Sequence, residues 1–138
     1  MTPRRRPLTT LLAVLLGGGA VLTGCGAGDP DDFIEDTYRS TGRDSDGETF
    51  TSPDPVGTTA ADIADAVPPS ARQSDGGAEY LRYDDDIVIV SAAATGSTVR
   101  VEDVDGRYSR GYYSYLGSGF RPGSPASSGG DGGPGDGK

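Results

Sequence analysis

Uncharged residues rich in Leu, Val, Ala and Gly run unbroken from Leu8 to Ala20; apolar positions then return only as short periodic groups between Phe33 and Phe120. The first group follows Asp29-Pro30-Asp31-Asp32, which predicts a helix start. It offers a capping aspartate, proline at the first helical position and acids against the helix N-terminus. Phe33, Ile34 and Tyr38 give that helix a short apolar face. Ser40 to Gly47 is polar and reads as a turn, and Glu48 to Ser52 as a short strand ended by Pro53 and Pro55. Thr59 begins a second helix, with Asp62 completing a partial capping box. Ala60, Ile63, Ala64 and Val67 make one buried stripe at helical spacing, and Pro68-Pro69 stops it. Ser70 to Gly77 reads as a loop.

The next segment has the strongest strand character. Glu79 to Tyr83 predicts a strand, Asp84-Asp85 a tight turn, and Asp86 to Ala92 a central strand whose continuous apolar run implies cover on both faces. Thr95-Gly96-Ser97 turns the chain into Thr98 to Glu102, which alternates polar and apolar as a half-exposed strand does. Beyond the Asp105-Gly106 break, Tyr108, Tyr112, Tyr115 and Leu116 fall on one face of a predicted third helix. Gly111 works against that helix by about 1 kcal/mol. The expected fold is α+β: a small antiparallel sheet of three to four strands with two to three helices on one face.

The uncharged run follows Arg4-Arg5-Arg6 and ends in Leu22-Thr23-Gly24-Cys25. A basic start, an apolar stretch and small residues before a cleavage point make a secretory leader, residues 1–24. The run is too short and too glycine-rich for a membrane-spanning helix, which needs about 20 apolar residues. Leu22 to Cys25 resembles a lipobox, with cleavage between Gly24 and Cys25 and thioether lipid on the cysteine. Cys25 is the only cysteine, so lipidation also resolves the unpaired thiol an exported chain would otherwise carry. Two or more acyl chains anchor stably without a transmembrane helix. The expected organisation is a lipidated tether (25–31), a small α+β domain (32–120) and a disordered Gly/Ser/Pro/Asp tail (121–138). The expected location is the extracytoplasmic face of the cell membrane, with the bilayer as partner through acylated Cys25.

Charge narrows the partners. Cleavage removes three basic residues and no acidic ones, leaving nine against 21, a formal charge of −12. Nucleic acid is a poor partner for such a surface, whereas cations and basic molecules suit it.

Arg82 to Val88, Gly96 to Asp103, Tyr108 and Gly111-Tyr112 together resemble a family of small bacterial lipoproteins, domain of unknown function family 4247. The resemblance extends from Asp32 to Leu116 and implies location and domain extent, but no activity. Members often carry a tryptophan after the last helix; this chain has none, and Phe120 stands in its place.

Three sets of residues carry candidate chemistry. Asp84, Asp85 and Asp86 form an acidic hairpin that suits a calcium ion or, more simply, a solvated edge. Asp44-Ser45-Asp46-Gly47-Glu48 is a fragment of a calcium loop without its distal glutamate, and Glu102, Asp103 and Asp105 add acids nearby. Tyr83, Arg107, Arg110, Tyr112 and Tyr113 are the candidate binding surface, because tyrosine and arginine dominate interface energetics and aromatic faces suit sugars. Tyr113 falls on the opposite side of the predicted last helix from Tyr108, Tyr112 and Tyr115. It is therefore expected to be exposed, and those three to be core residues. The chain has no histidine, which excludes a histidine-dependent triad or zinc site. With Cys25 acylated there is no thiol nucleophile. No cofactor is implied. The favoured reading is a non-catalytic binding module for an envelope protein or cell-wall polymer. A calcium-responsive domain and a small carboxylate-based hydrolase are the alternatives.

Overall fold

The computed structural model describes residues 29–124. Helix α1 (Pro30–Thr37) starts as its sequence dictates, with the Asp29 side chain accepting from the Asp31 amide at 2.9 Å. Strands β1 (Arg39–Arg43) and β2 (Glu48–Ser52) form a hairpin, followed by helix α2 (Val56–Ala66). Strands β3 (Ala71–Asp75), β4 (Ala78–Arg82), β5 (Asp86–Ala92) and β6 (Ser97–Asp103) complete one antiparallel sheet in the order β1-β2-β6-β5-β4-β3.

The fold is α+β, but the sheet has six strands, not three to four. The two unforeseen strands are its edges. Every residue of β1 is exposed, and β3 buries only part of Ala71. A strand with both faces in water has no apolar alternation to reveal it. Its polar side chains also discourage pairing with another chain.

The central strands sort their side chains by parity. Val88, Val90, Val99 and Val101 face one way and pack with Phe50 and Leu81 beneath Ile34 of α1 and Ala60 and Ile63 of α2. Thr59 does not start α2, which begins at Val56. Its buried hydroxyl lies 2.8 Å from Ser52 Oγ and 2.9 Å from Ser97 Oγ, tying α2 to the ends of β2 and β6. Beside this knot Gly96 adopts φ +72°, and a Cβ there would stand 2.1 Å from the Ser52 carbonyl oxygen.

The predicted third helix does not form. Gly111 takes φ +79°, a left-handed conformation that ends a right-handed helix. The chain instead kinks at Gly106 (φ −81°, ψ −118°) within Val104–Tyr108 and then makes two short 3-10 turns (Ser114–Leu116, Ser118–Phe120). This segment covers the sheet face opposite α1 and α2, burying Tyr108, Tyr113, Leu116 and Phe120 against Ile87. The expected exposure is therefore reversed at three tyrosines. Tyr113 is 1% exposed, while Tyr112 and Tyr115 are 57% and 58% exposed. Tyr108 is a core residue, as expected, and its hydroxyl donates to the Arg121 carbonyl at 2.7 Å. Ser124 is also buried, so the folded body extends past Phe120. The leader, the Gly24–Cys25 junction and residues 125–138 lie outside the described residues. No helix among the described residues is long and apolar enough to cross a membrane.

Candidate functional site

Two concavities open on opposite faces of the sheet. On the helix face, a groove of about 310 Å³ is lined by carboxylates. Asp31 and Glu35 come from α1, Asp86 and Asp103 from β5 and β6, and Asp44, Asp46 and Glu48 from the β1–β2 hairpin. Asp29, Asp31 and Asp86 bring carboxylate oxygens within 4.8 Å of one another. Burial, and then the charges of Asp31, Asp29 and Asp103, push Asp86 up to about 7. Asp31 is raised too, mainly by burial, and its Oδ1 has no hydrogen-bond partner among the described residues. Asp44 behaves oppositely. Its hydrogen bond from Arg100 holds it down at about 2.

The acidic hairpin of the sequence is thus divided. Asp84, Asp85 and Asp86 do not converge; Asp86 turns to α1 and meets Asp29 and Asp31 instead. Sequence spacing could not bring α1 and β5 together, because their contact is tertiary.

On the other face, a cleft of about 270 Å³ lies between the sheet and the C-terminal segment. Arg100, Thr49 and Thr98 form part of its floor, and Arg107, Tyr112 and Tyr115 come from the covering segment. No carboxylate among the described residues lines it.

Glu102 organises this side. It is 1% exposed and points from β6 under the covering segment. It accepts from Arg100 Nε at 2.6 Å, from Arg107 Nε at 3.1 Å and through a short contact from Arg107 Nη2. The Tyr113 hydroxyl donates to it at 2.6 Å. Burial pushes Glu102 up, but hydrogen bonds from Arg107, Tyr113 and Arg100 outweigh it and hold its pKa below the ordinary 4.5. The Arg107 guanidinium also lies 4.8 Å from the Tyr112 ring centre, a cation–π contact. Arg100 additionally donates to Thr49 Oγ1 at 3.1 Å and to Asp44 at 2.7 Å. The Tyr115 and Tyr80 hydroxyls lie 3.3 Å apart, and burial with that contact pushes Tyr80 up to about 12.

Of the five surface residues expected from sequence, Arg107, Tyr112 and Tyr113 meet here. Tyr83 does not: it is buried beneath α2, with its hydroxyl donating to the Val67 carbonyl at 2.8 Å. It lies one residue past β4, on the same side as Leu81, which is the helix face. Arg110 is also outside the cleft and approaches Asp46 at 4.0 Å. Glu102 and Arg100 were missed as organisers. An acid and an arginine alternating on one strand face were the available signal, but the partners come from other elements.

A family model described as a domain of unknown function, DUF4247, matches residues 20–133. The chain belongs to that family. Two uncharacterized proteins of Mycobacterium tuberculosis, one each from strains H37Rv and CDC 1551, are 39% identical to this DUF4247 chain over 98 residues. The aligned stretch is 68% of this chain and 66% of each relative, so the chain spans just under two thirds of their length. No solved structure matches.

Proposed function

We propose that this DUF4247 protein is a lipid-anchored, extracytoplasmic binding module whose ligand enters the Tyr/Arg cleft. The observation that carries the reading is the cleft itself. The two large aromatic residues exposed among the described residues, Tyr112 and Tyr115, both stand at this concavity. Tyrosine offers broad contact area at low entropic cost, which suits recognition. The lining supports binding more than catalysis. Tyr80 and Tyr113 are pushed above the ordinary tyrosine value of 10, so both stay protonated near neutrality and neither serves as a base. Anchoring rests on the leader pattern and Cys25, and the family match starts ahead of that cysteine. The partners on this reading are the bilayer, through acylated Cys25, and an envelope protein or cell-wall polymer; nucleic acid is disfavoured by charge.

Sedimentation of the purified chain with isolated cell envelopes tests the cleft. The wild type co-sediments, and Tyr112→Ala/Tyr115→Ala stays in the supernatant with unchanged circular dichroism. Equal retention of both forms overturns the reading. Acyl labelling of Cys25→Ser tests the anchor; undiminished label refutes it.

The convergence of Asp29, Asp31 and Asp86 favours calcium binding in the opposite groove as a second reading. Calorimetry with calcium against Asp86→Asn decides it, and a flat wild-type titration at millimolar calcium ends it. A carboxylate-based hydrolase would use the same groove. Equal background release from cell-wall glycan by wild type and Asp86→Asn removes that alternative.

A further inference from the structure

The cleft holds an arginine whose donors are only partly used. Arg107 spends Nε and Nη2 on Glu102, and its face meets Tyr112, while Nη1 makes no hydrogen bond among the described residues. The Glu102 clamp fixes the guanidinium in place, so little rotamer freedom remains to be lost when a ligand takes that free donor. The charges at this node balance, Arg100 and Arg107 against Glu102 and Asp44, but both carboxylates lie outside the cleft lining while both arginines line it. In a chain of net charge −9, a lining with two arginines and no acidic side chain among the described residues is a local exception that favours an anionic group. A carboxylate accepts from such a donor through a charge-assisted bond.

The remainder of the lining specifies what carries that group. Among the described residues Ile89 is the one aliphatic lining residue, and hydroxyls dominate: Thr49, Tyr80, Ser91 and Thr98 on the strands and Tyr115 on the covering segment. Thr49, Thr98, Tyr80 and Tyr115 each hold one protein partner, and a branched aliphatic or lipid ligand would leave their remaining capacity, and the Ser91 hydroxyl, against apolar surface. A sugar ring satisfies both features, since its hydroxyls meet the hydroxyl floor and its C–H face lies on tyrosine.

Resting on the binding-module reading above, we infer that the cleft recognises an acidic saccharide, with the ring against Tyr112 and Tyr115 and its carboxylate on Arg107.

The test uses residues 25–138 in detergent, with oligogalacturonate, its methyl ester and polyglutamate as probes. Tyrosine and arginine side-chain resonances report binding. Oligogalacturonate binds saturably and shifts Arg107 Nε. The methyl ester, with the same rings and no charge, binds about tenfold weaker, as does polyglutamate, which has charge and no rings. Tyr115→Ala, whose side chain bonds only the Tyr80 hydroxyl, weakens oligogalacturonate about tenfold without altering the melting curve. Equal binding of the methyl ester overturns the carboxylate assignment. Polyglutamate binding as tightly as the sugar overturns the ring assignment. Binding of none of the three overturns the inference. If envelope co-sedimentation is still lost in Tyr112→Ala/Tyr115→Ala, the cleft reading survives and only the ligand class falls.

Discussion

Replacing Glu102 with glutamine keeps the side-chain volume and removes the charge on which Arg100 and Arg107 converge. Breaking a buried ion pair by removing one partner costs about 3–5 kcal/mol, because the other charge is left uncompensated. Here the carboxylate is 1% exposed, but the Arg100 and Arg107 side chains are 23% and 30% exposed. Water reaches one edge of each guanidinium, and Arg100 retains Asp44. The expected loss is therefore below that range, about 2–3 kcal/mol. For a domain of this size that lowers Tm by about 10–20 °C. Urea unfolding followed by circular dichroism measures it. The pH dependence identifies the cause. Glu102 is held below its ordinary value in the folded state, so its stabilisation is present above the unfolded pKa and fades as pH falls through the folded one. The gap between wild type and Glu102→Gln is full near pH 7 and narrows below about pH 4. Equal urea midpoints at neutral pH would refute the claim that this carboxylate fastens the covering segment to the sheet.

Asp86 has the opposite sign. Its folded pKa is raised to about 7, so the fold loses stability as pH rises from about 4 to about 7. Asp86→Asn removes that penalty, gaining about 2 kcal/mol near pH 8 after allowance for water at this half-buried site, and nothing near pH 4; thermal melts at both pH values check it. Buried Arg82 stacks 4.3 Å from the Tyr108 ring centre, with no hydrogen-bond partner for Nε or Nη1 among the described residues. Arg82→Met is neutral or raises stability by about 1 kcal/mol in urea unfolding. Gly96→Ala, which places a methyl group against the Ser52 carbonyl in a left-handed backbone, costs about 2–4 kcal/mol by the same measurement.

What sequence revealed followed from where burial imposed a pattern. α1 was legible from Asp29-Pro30 and its acids, and β4, β5 and β6 from apolar runs and turn residues. β1 and β3 bury almost nothing, so no alternation marked them. The covering segment misled because Tyr108, Tyr112, Tyr115 and Leu116 have helical spacing, while Gly111 takes a positive φ that ends the helix. That one residue exchanges the environments of Tyr112 and Tyr113. The candidate site was legible as a composition of tyrosine and arginine near the C-terminus. Its organiser was not, since Glu102 gains its meaning only when β6 passes beneath Arg107 and Tyr113.

The central claim is that recognition occurs on the face opposite the helices. Photo-crosslinking from position 115 in intact cells, with position 35 in the acidic groove as the reference, tests it directly. The account predicts a discrete envelope adduct from position 115 that disappears when Tyr112→Ala is added, and none from position 35. An adduct from position 35 alone would contradict it.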